Sequence, residues 1–232
     1  MGQKCNPVGF RVGITEGWQS RWYAPKGAFG TFLVEDERIR RYVERELNEK
    51  PPFAGVAKIE IERTRDEVKV ILHTARPGLV IGAKGAEIDK LREKLEDLIE
   101  RRVNVSISEI KNPDLNARLI GLNISEQLKK RVSFRRLMKQ KAEASMQAGA
   151  KGVKIVLSGR LANAELARTE KLMLGSIPLQ TLQANVDFSI VHAVTTVGAI
   201  GIKVWVYKGM YGDEIVEQRP EPGRFRQRRM RR

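Results

Sequence analysis

The sequence predicts an α+β protein of two modules followed by a basic tail, and three patterns carry that prediction. Apolar residues repeat at helical spacing in some stretches and alternate with polar residues in others, so helices and strands share the chain. A polar, proline-containing break at Lys111-Asn112-Pro113-Asp114 divides the chain near its middle. A length of 232 residues with 41% hydrophobic content is enough to build real cores in both halves.

Residues 1–34 mix Gly9, Phe10, Arg11, Gly13, Trp18, Trp22 and Tyr23 without helical or strand periodicity, and they predict an extended arm laid on a partner. From residue 35 the pattern becomes regular. Ile39, Val43 and Leu47 recur at helical spacing behind a possible cap at Asp36, and Pro51-Pro52 ends that helix. Ala57, Ile59 and Ile61 alternate with charged residues, a polar turn follows, and Val68, Val70 and Leu72 alternate again. A short apolar segment, Pro77 to Ile81, leads into the tight loop Gly82-Ala83-Lys84-Gly85. Ile88, Leu91, Leu95 and Ile99 then form the stripe of an amphipathic helix, and Val103, Val105 and Ile107 close the unit, residues 35–110, as a strand.

Residues 111–211 form the second module. Asp114 is a candidate cap for a helix carrying Leu115, Leu119, Leu122 and Leu128, and a second helix carries Phe134, Leu137, Met138 and Ala142 and stops at Gly149. Strand-like runs at 153–158, 170–177, 184–190 and 200–208 follow with short turns between them, which predicts an antiparallel sheet covered by the two helices. Residues 212–232 are rich in arginine and poor in apolar side chains, so a flexible, disordered tail is expected.

Lysine and arginine number 43 against 28 aspartates and glutamates, giving a formal charge of +15, and a nucleic acid is the first partner to consider. One cysteine, Cys5, allows no internal disulfide and fits a reducing, cytoplasmic setting. No apolar run has the length of a membrane span, and the start lacks the apolar core of a secretory signal. Two histidines, His73 and His192, form no ligand set with Cys5, and neither has a nucleophile beside it. The carboxylates between Glu87 and Glu100 are interleaved with Lys90, Arg92 and Lys94 as a solvated face. No metal, cofactor or catalytic step is called for.

Two constellations point to RNA. Gly82-Ala83-Lys84-Gly85 stands between a short and a long helix, where glycine lets a phosphate approach the backbone and the next helix offers unpaired amides. Such a loop resembles that of a KH domain, and the helix–strand–strand prefix resembles the type II arrangement. It is not a Walker site, because Lys84 is followed by glycine rather than serine or threonine. The second constellation is Lys129-Lys130-Arg131 with Arg135, Arg136 and Lys139. No acidic residue falls between Lys129 and Lys141, so this cationic edge suits phosphates better than a mixed solvated face does.

With these motifs in hand, nearly the whole chain resembles the bacterial-type family of ribosomal protein three of the small subunit. The resemblance rests on Met1 to Lys4 with Pro7, Gly9, Arg11 and Gly13, on the run from His73 to Gly85, and on Phe134-Arg135-Arg136, Gly149-Ala150-Lys151-Gly152, Ser158-Gly159-Arg160-Leu161 and Gly201 to Trp205. Cys5 and Asn6 depart from the family's usual hydrophobe and histidine. The resemblance implies a type II KH domain, a second α+β domain and a place in the cytoplasmic small-subunit head, with ribosomal RNA, messenger RNA and ribosomal proteins ten and fourteen as partners. It implies RNA contacts at Gly82, Ala83, Lys84 and Gly85 and in the arm at Gln3, Lys4 and Arg11. Arg131, Arg135, Arg136 and Lys139 would touch messenger entering its channel and help to guide or unwind it.

Overall fold

The computed structural model describes residues 4–64 and 67–212, the side chain of Lys84 excepted. Gln3 and the arginine-rich tail beyond Gly212 lie outside the described residues. The N-terminal arm differs from expectation. It contains helix α1 (Pro7–Arg11) and strand β1 (Ser20–Arg21), and helix α2 starts at Phe29 and runs to Glu44. Asn6 starts α1, its Oδ1 accepting from the Val8 amide at 3.0 Å and the Gly9 amide at 3.4 Å, while Pro7 occupies the first helical turn without an amide to leave unpaired. The first turns of α2 carry no apolar period because Phe29, Leu33 and Val34 stay exposed; Ile39 and Val43 are its buried stripe.

Asp36, expected as a helix cap, sits inside α2 and is buried. Its carboxylate accepts from Ser20 Oγ and Trp22 Nε1, both at 2.8 Å, and from Arg63 Nε at 2.8 Å and Nη2 at 2.6 Å. Glu35 takes the remaining end of Arg63 at 2.5 Å. The cluster therefore joins the arm, α2 and the end of strand β2 (Val56–Arg63).

Strand β2 pairs antiparallel with β3 (Glu67–Thr74), and β3 pairs in parallel with β4 (Arg102–Glu109). A parallel pair requires a crossover, which helices α3 (Pro77–Ile81) and α4 (Ala86–Ile99) provide. The sheet order is β1-β2-β3-β4, with β1 added in parallel beside β2. Ile39, Ile61, Val70, Leu72 and Leu95 form the centre of this domain's core.

Helix α5 (Ala117–Lys129) opens the second domain, and its cap is Asn116 rather than Asp114. Asn116 Oδ1 accepts from the amides of Arg118 at 3.0 Å and Leu119 at 3.3 Å, whereas Asp114 lies 3.8 Å from Lys141. Helix α6 (Phe134–Gln147) precedes β5 (Gly152–Gly159), β6 (Arg168–Gly175), β7 (Ala184–Thr195) and β8 (Gly198–Met210). The sheet is antiparallel throughout in the order β6-β5-β8-β7, and Ile124 and Leu137 of the helices pack on Ile155, Leu157, Ile202 and Val204. Since β6 and β7 are opposite edges, residues 176–183 cross the end of the sheet, where Ile177 and Leu179 pack with Val186 and Tyr207. Among the described residues no helix is long and apolar enough to cross a membrane.

The two domains are tied directly. Arg118 pairs with Glu44 of α2 while its Nη1 donates to the Ile190 carbonyl at 3.0 Å. The arm adds a second tie through Arg11.

Candidate nucleic-acid interface

The loop between α3 and α4 has a backbone that glycine alone supplies. Gly82 has φ 69° and ψ −172°, and a Cβ there would meet Glu87 Cγ at 2.5 Å; Gly85 adopts the left-handed conformation at φ 86°. Ala83 is exposed, and the backbone of Lys84 lies in the single 3₁₀ turn joining the glycines. Gly85 caps α4 without a side-chain hydrogen bond and the Ala86 amide donates to the Ala83 carbonyl, so what the loop presents to an anion is the positive end of a fourteen-residue helix. Glu87 and Asp89 stand in that turn and draw off part of the positive pole, Glu87 pairing with Lys90 at 2.9 Å. Leu79 and Ile81 are exposed beside the loop and give it an apolar flank.

The second cationic site is built around the start of α6. Phe134 is buried and anchors the helix, and the guanidinium of Arg135 lies 5.7 Å from its ring centroid. Arg135, Arg136 and Lys139 point to solvent, and Arg131 sits in the preceding turn with a positive φ of 60°. The fold brings carboxylates to this edge that lie outside the acid-free sequence stretch. Arg135 is 3.6 Å from Glu170 of β6, and Lys139 is 3.8 Å from Glu143. Both pairs are long and exposed, so a phosphate can replace the carboxylate at small cost. Arg131 and Arg136 have no ion pair among the described residues. Arg168, which the linear sequence gave no reason to include, joins the edge: its guanidinium lies 5.6 Å from the Phe134 ring centroid and 3.4 Å from Glu170.

Of the arm residues, Lys4 is exposed, and its charge acts on Lys154 of β5. Arg11 corrects the expectation of an RNA contact, because it is fully buried. Its guanidinium donates to the carbonyls of Pro7 at 2.9 Å, Pro178 at 3.3 Å, Leu179 at 3.2 Å and Thr181 at 2.7 Å. An arginine wrapped in protein carbonyls has no face left for a phosphate. Arg11 is instead a pin that fastens α1 to the crossing segment 176–183.

Neither histidine lies in a catalytic arrangement. His73 Nε2 is buried without a hydrogen bond, 3.6 Å from Glu60, and His192 is exposed on β7. The Glu60 carboxyl is pushed up by burial, but the hydrogen bond from Lys58 and the charges of Lys58 and His73 outweigh burial and leave it below the usual carboxylate range. Among the described residues, no group of histidine, cysteine and carboxylate ligands is placed to hold a metal ion.

Comparison with known proteins agrees with this geometry. Residues 38–115 match the KH domain family, and residues 124–206 match the family of the ribosomal protein S3 C-terminal domain. The small ribosomal subunit protein uS3 of Rhodopirellula baltica is 53% identical over 215 residues, covering 92% of this chain and 91% of that protein. The protein of the same name from Desulforamulus reducens is 48% identical over 222 residues, covering 96% and 97%. That from Pelotomaculum thermopropionicum is 49% identical over 209 residues, covering 90% and 89%.

Proposed function

The chain belongs to the uS3 family of small ribosomal subunit proteins, and from that premise we propose that it holds ribosomal RNA through its KH domain and guides messenger RNA with the start of α6. It is a structural constituent and not an enzyme. In this reading the amides at the start of α4 and the Gly82-Ala83-Lys84-Gly85 loop take RNA phosphates, and Lys4 with Gln3 adds cationic and polar contacts from the arm. Arg131, Arg135, Arg136 and Lys139 line the channel by which messenger enters. Exposed Tyr23, Phe29, Leu33 and Val34 offer an apolar surface to protein neighbours in the subunit head, for which ribosomal proteins ten and fourteen are the candidates.

The observation that carries the messenger role is the exposure of Arg131 and Arg136 without an ion pair among the described residues, beside two weakly paired cations. A cationic edge holds the phosphates of a separated strand along a path too narrow for a duplex. Movement driven elsewhere then becomes strand separation, with no nucleotide hydrolysed at this site. The test is translation by ribosomes carrying Arg135→Ala, Arg136→Ala and Lys139→Ala together, on messengers with and without a stable hairpin. Each substitution changes folding by no more than about 0.5 kcal/mol because the side chains are exposed. Slowing at the hairpin alone is expected. Equal rates on both messengers, with subunit assembly intact, would refute the messenger role.

A further inference from the structure

One face of the C-terminal sheet carries α5 and α6, and the strand register defines what stands on the other. On β5, Ile155 and Leu157 enter the core beneath the helices, so Lys154 and Val156 face away from them. Val156 is paired with Lys171 of β6 on one side and with Lys203 of β8 on the other. Lys154 is paired with Trp205, which in turn stands opposite Phe188 of β7. Three lysines and an aromatic pair therefore share one surface. The Phe188 and Trp205 rings are 4.9 Å apart, and Lys154 Nζ lies 5.1 Å from the Trp205 centroid.

Among the described residues this surface has no counter-charge of its own. Among the described residues, Lys154, Lys171 and Lys203 make no ion pair, and the alternation of β6 turns Glu170 toward α6, where it meets Arg135. Lys171 and Lys203 are two strands apart, so their stems stand about 10 Å from one another, close to one Debye length at physiological salt. Burial, followed by the nearby charges of Lys4 and Lys171, holds the Lys154 ammonium below its ordinary pKa. The same face exposes Met173 and Ile190, so apolar side chains stand among its cations. Uncompensated cations beside aromatic and apolar side chains are the chemistry that binds a polyanion with unpaired bases.

We propose that the face of the C-terminal sheet opposite α5 and α6 is a further RNA-binding surface, on which Lys154, Lys171 and Lys203 hold the phosphates of a single-stranded segment while an unpaired base lies against Phe188 and Ile190. It rests on the RNA-binding reading above but concerns a surface separate from the KH loop and the α6 edge. The crossing segment 176–183 closes the Tyr207 end of this face, so the strand runs over its open end.

The experiment is chemical footprinting of the full chain, with trace acetylation of lysines and trace modification of arginines, in the presence and absence of a short oligouridine. Protection of Lys154, Lys171 and Lys203 is expected, together with protection of Arg131 and Arg136. In parallel, the triple substitution Lys154→Gln, Lys171→Gln, Lys203→Gln should lower the salt slope of oligouridine binding by about 2, at about 0.7 per phosphate contact on a single strand. Protection of the arginines alone, with an unchanged slope in the triple variant, would overturn this inference and leave the messenger reading standing. Protection of the three lysines alone would support the sheet site and count against the α6 edge. Equal protection by an RNA duplex would overturn the single-strand assignment, and protection by polyglutamate but not by oligouridine would overturn RNA as the occupant.

Discussion

Removing the Arg11 side chain separates the two roles available to an N-terminal arginine. In the structure its guanidinium makes four hydrogen bonds to carbonyls, two of them short at 2.7 and 2.9 Å, while Nε is buried without an acceptor. Hydrogen bonds from a charged donor contribute about 1.5–3 kcal/mol, and the desolvation of the guanidinium and of its unpaired Nε offsets part of that. Counting only the two short bonds and adding the cavity left behind, Arg11→Ala should cost about 2–4 kcal/mol. For a chain of this length, 3 kcal/mol corresponds to a fall in Tm of about 6–12 °C. Arg11→Lys keeps the charge but reaches fewer carbonyls, so an intermediate loss is expected.

The assay pairs thermal unfolding, followed by circular dichroism, with RNA affinity measured over a range of salt at a temperature where the variant is folded. Because the Arg11 guanidinium is buried among protein carbonyls, the salt slope should match that of the parent. A variant with unchanged Tm and a slope reduced by one phosphate contact would refute the reasoning and return Arg11 to the RNA interface.

Two further predictions concern the arm and its attachments. Asp36→Ala removes the carboxylate that holds Ser20, Trp22 and the buried Arg63, leaving Glu35 as the partner of that guanidinium, and should cost about 2–4 kcal/mol; a loss under 1 kcal/mol in denaturant unfolding would contradict the hub. Burial and the hydrogen bond to Glu16 at 2.6 Å push the Tyr211 phenol well above its ordinary value. Its neutral form is favoured by the fold, so this contribution is fully present below about pH 10 and is lost as pH rises through the elevated pKa. Tyr211 should therefore ionise above the ordinary phenol range in an alkaline absorbance titration, and Glu16→Gln should bring it down; identical titrations of parent and variant would contradict the assignment.

What the sequence revealed and what it hid follow the range of the interactions involved. Apart from the two-residue β1, the strands of both sheets were legible because alternation is a local consequence of one buried face, and the four later strands appear where Val153, Ile155, Leu157 and their counterparts recur. The glycine loop was legible for the same reason, since Gly82 and Gly85 answer to their own dihedral angles. The start of α2 was not, because a helix whose first turns expose Phe29 and Leu33 leaves no period to read. Arg11 was misread because three of its four acceptors lie 167 to 170 residues away, and nothing near Arg11 in sequence distinguishes a carbonyl cage from a phosphate. The α6 edge was partly legible: its cations are contiguous, but Glu170 and Arg168 reach it only through the pairing of β6 with β5.

The arm also bears on how the two domains are held together. A rigid particle requires that the KH loop and the α6 edge keep a fixed separation, yet the chain between the domains at 110–116 is short and has only a 3₁₀ turn of its own. The arm supplies the missing constraint. Ser20 and Arg21 pair with Ile61 and Glu62 of β2 in the first domain, and Arg11 is caged by segment 176–181 of the second. Tyr211, at the end of β8, reaches back to Glu16 between those two attachments, and Arg118 with Glu44 closes a third link on the side of α5. Cutting one of these leaves the others in place, so loss of Arg11 should loosen the angle between the KH loop and the α6 edge before either domain unfolds. Arg11 and Trp22, which read from the sequence as parts of an arm laid on a partner, are thus spent on holding the arm to the two domains, while Trp18 and Tyr23 stay exposed.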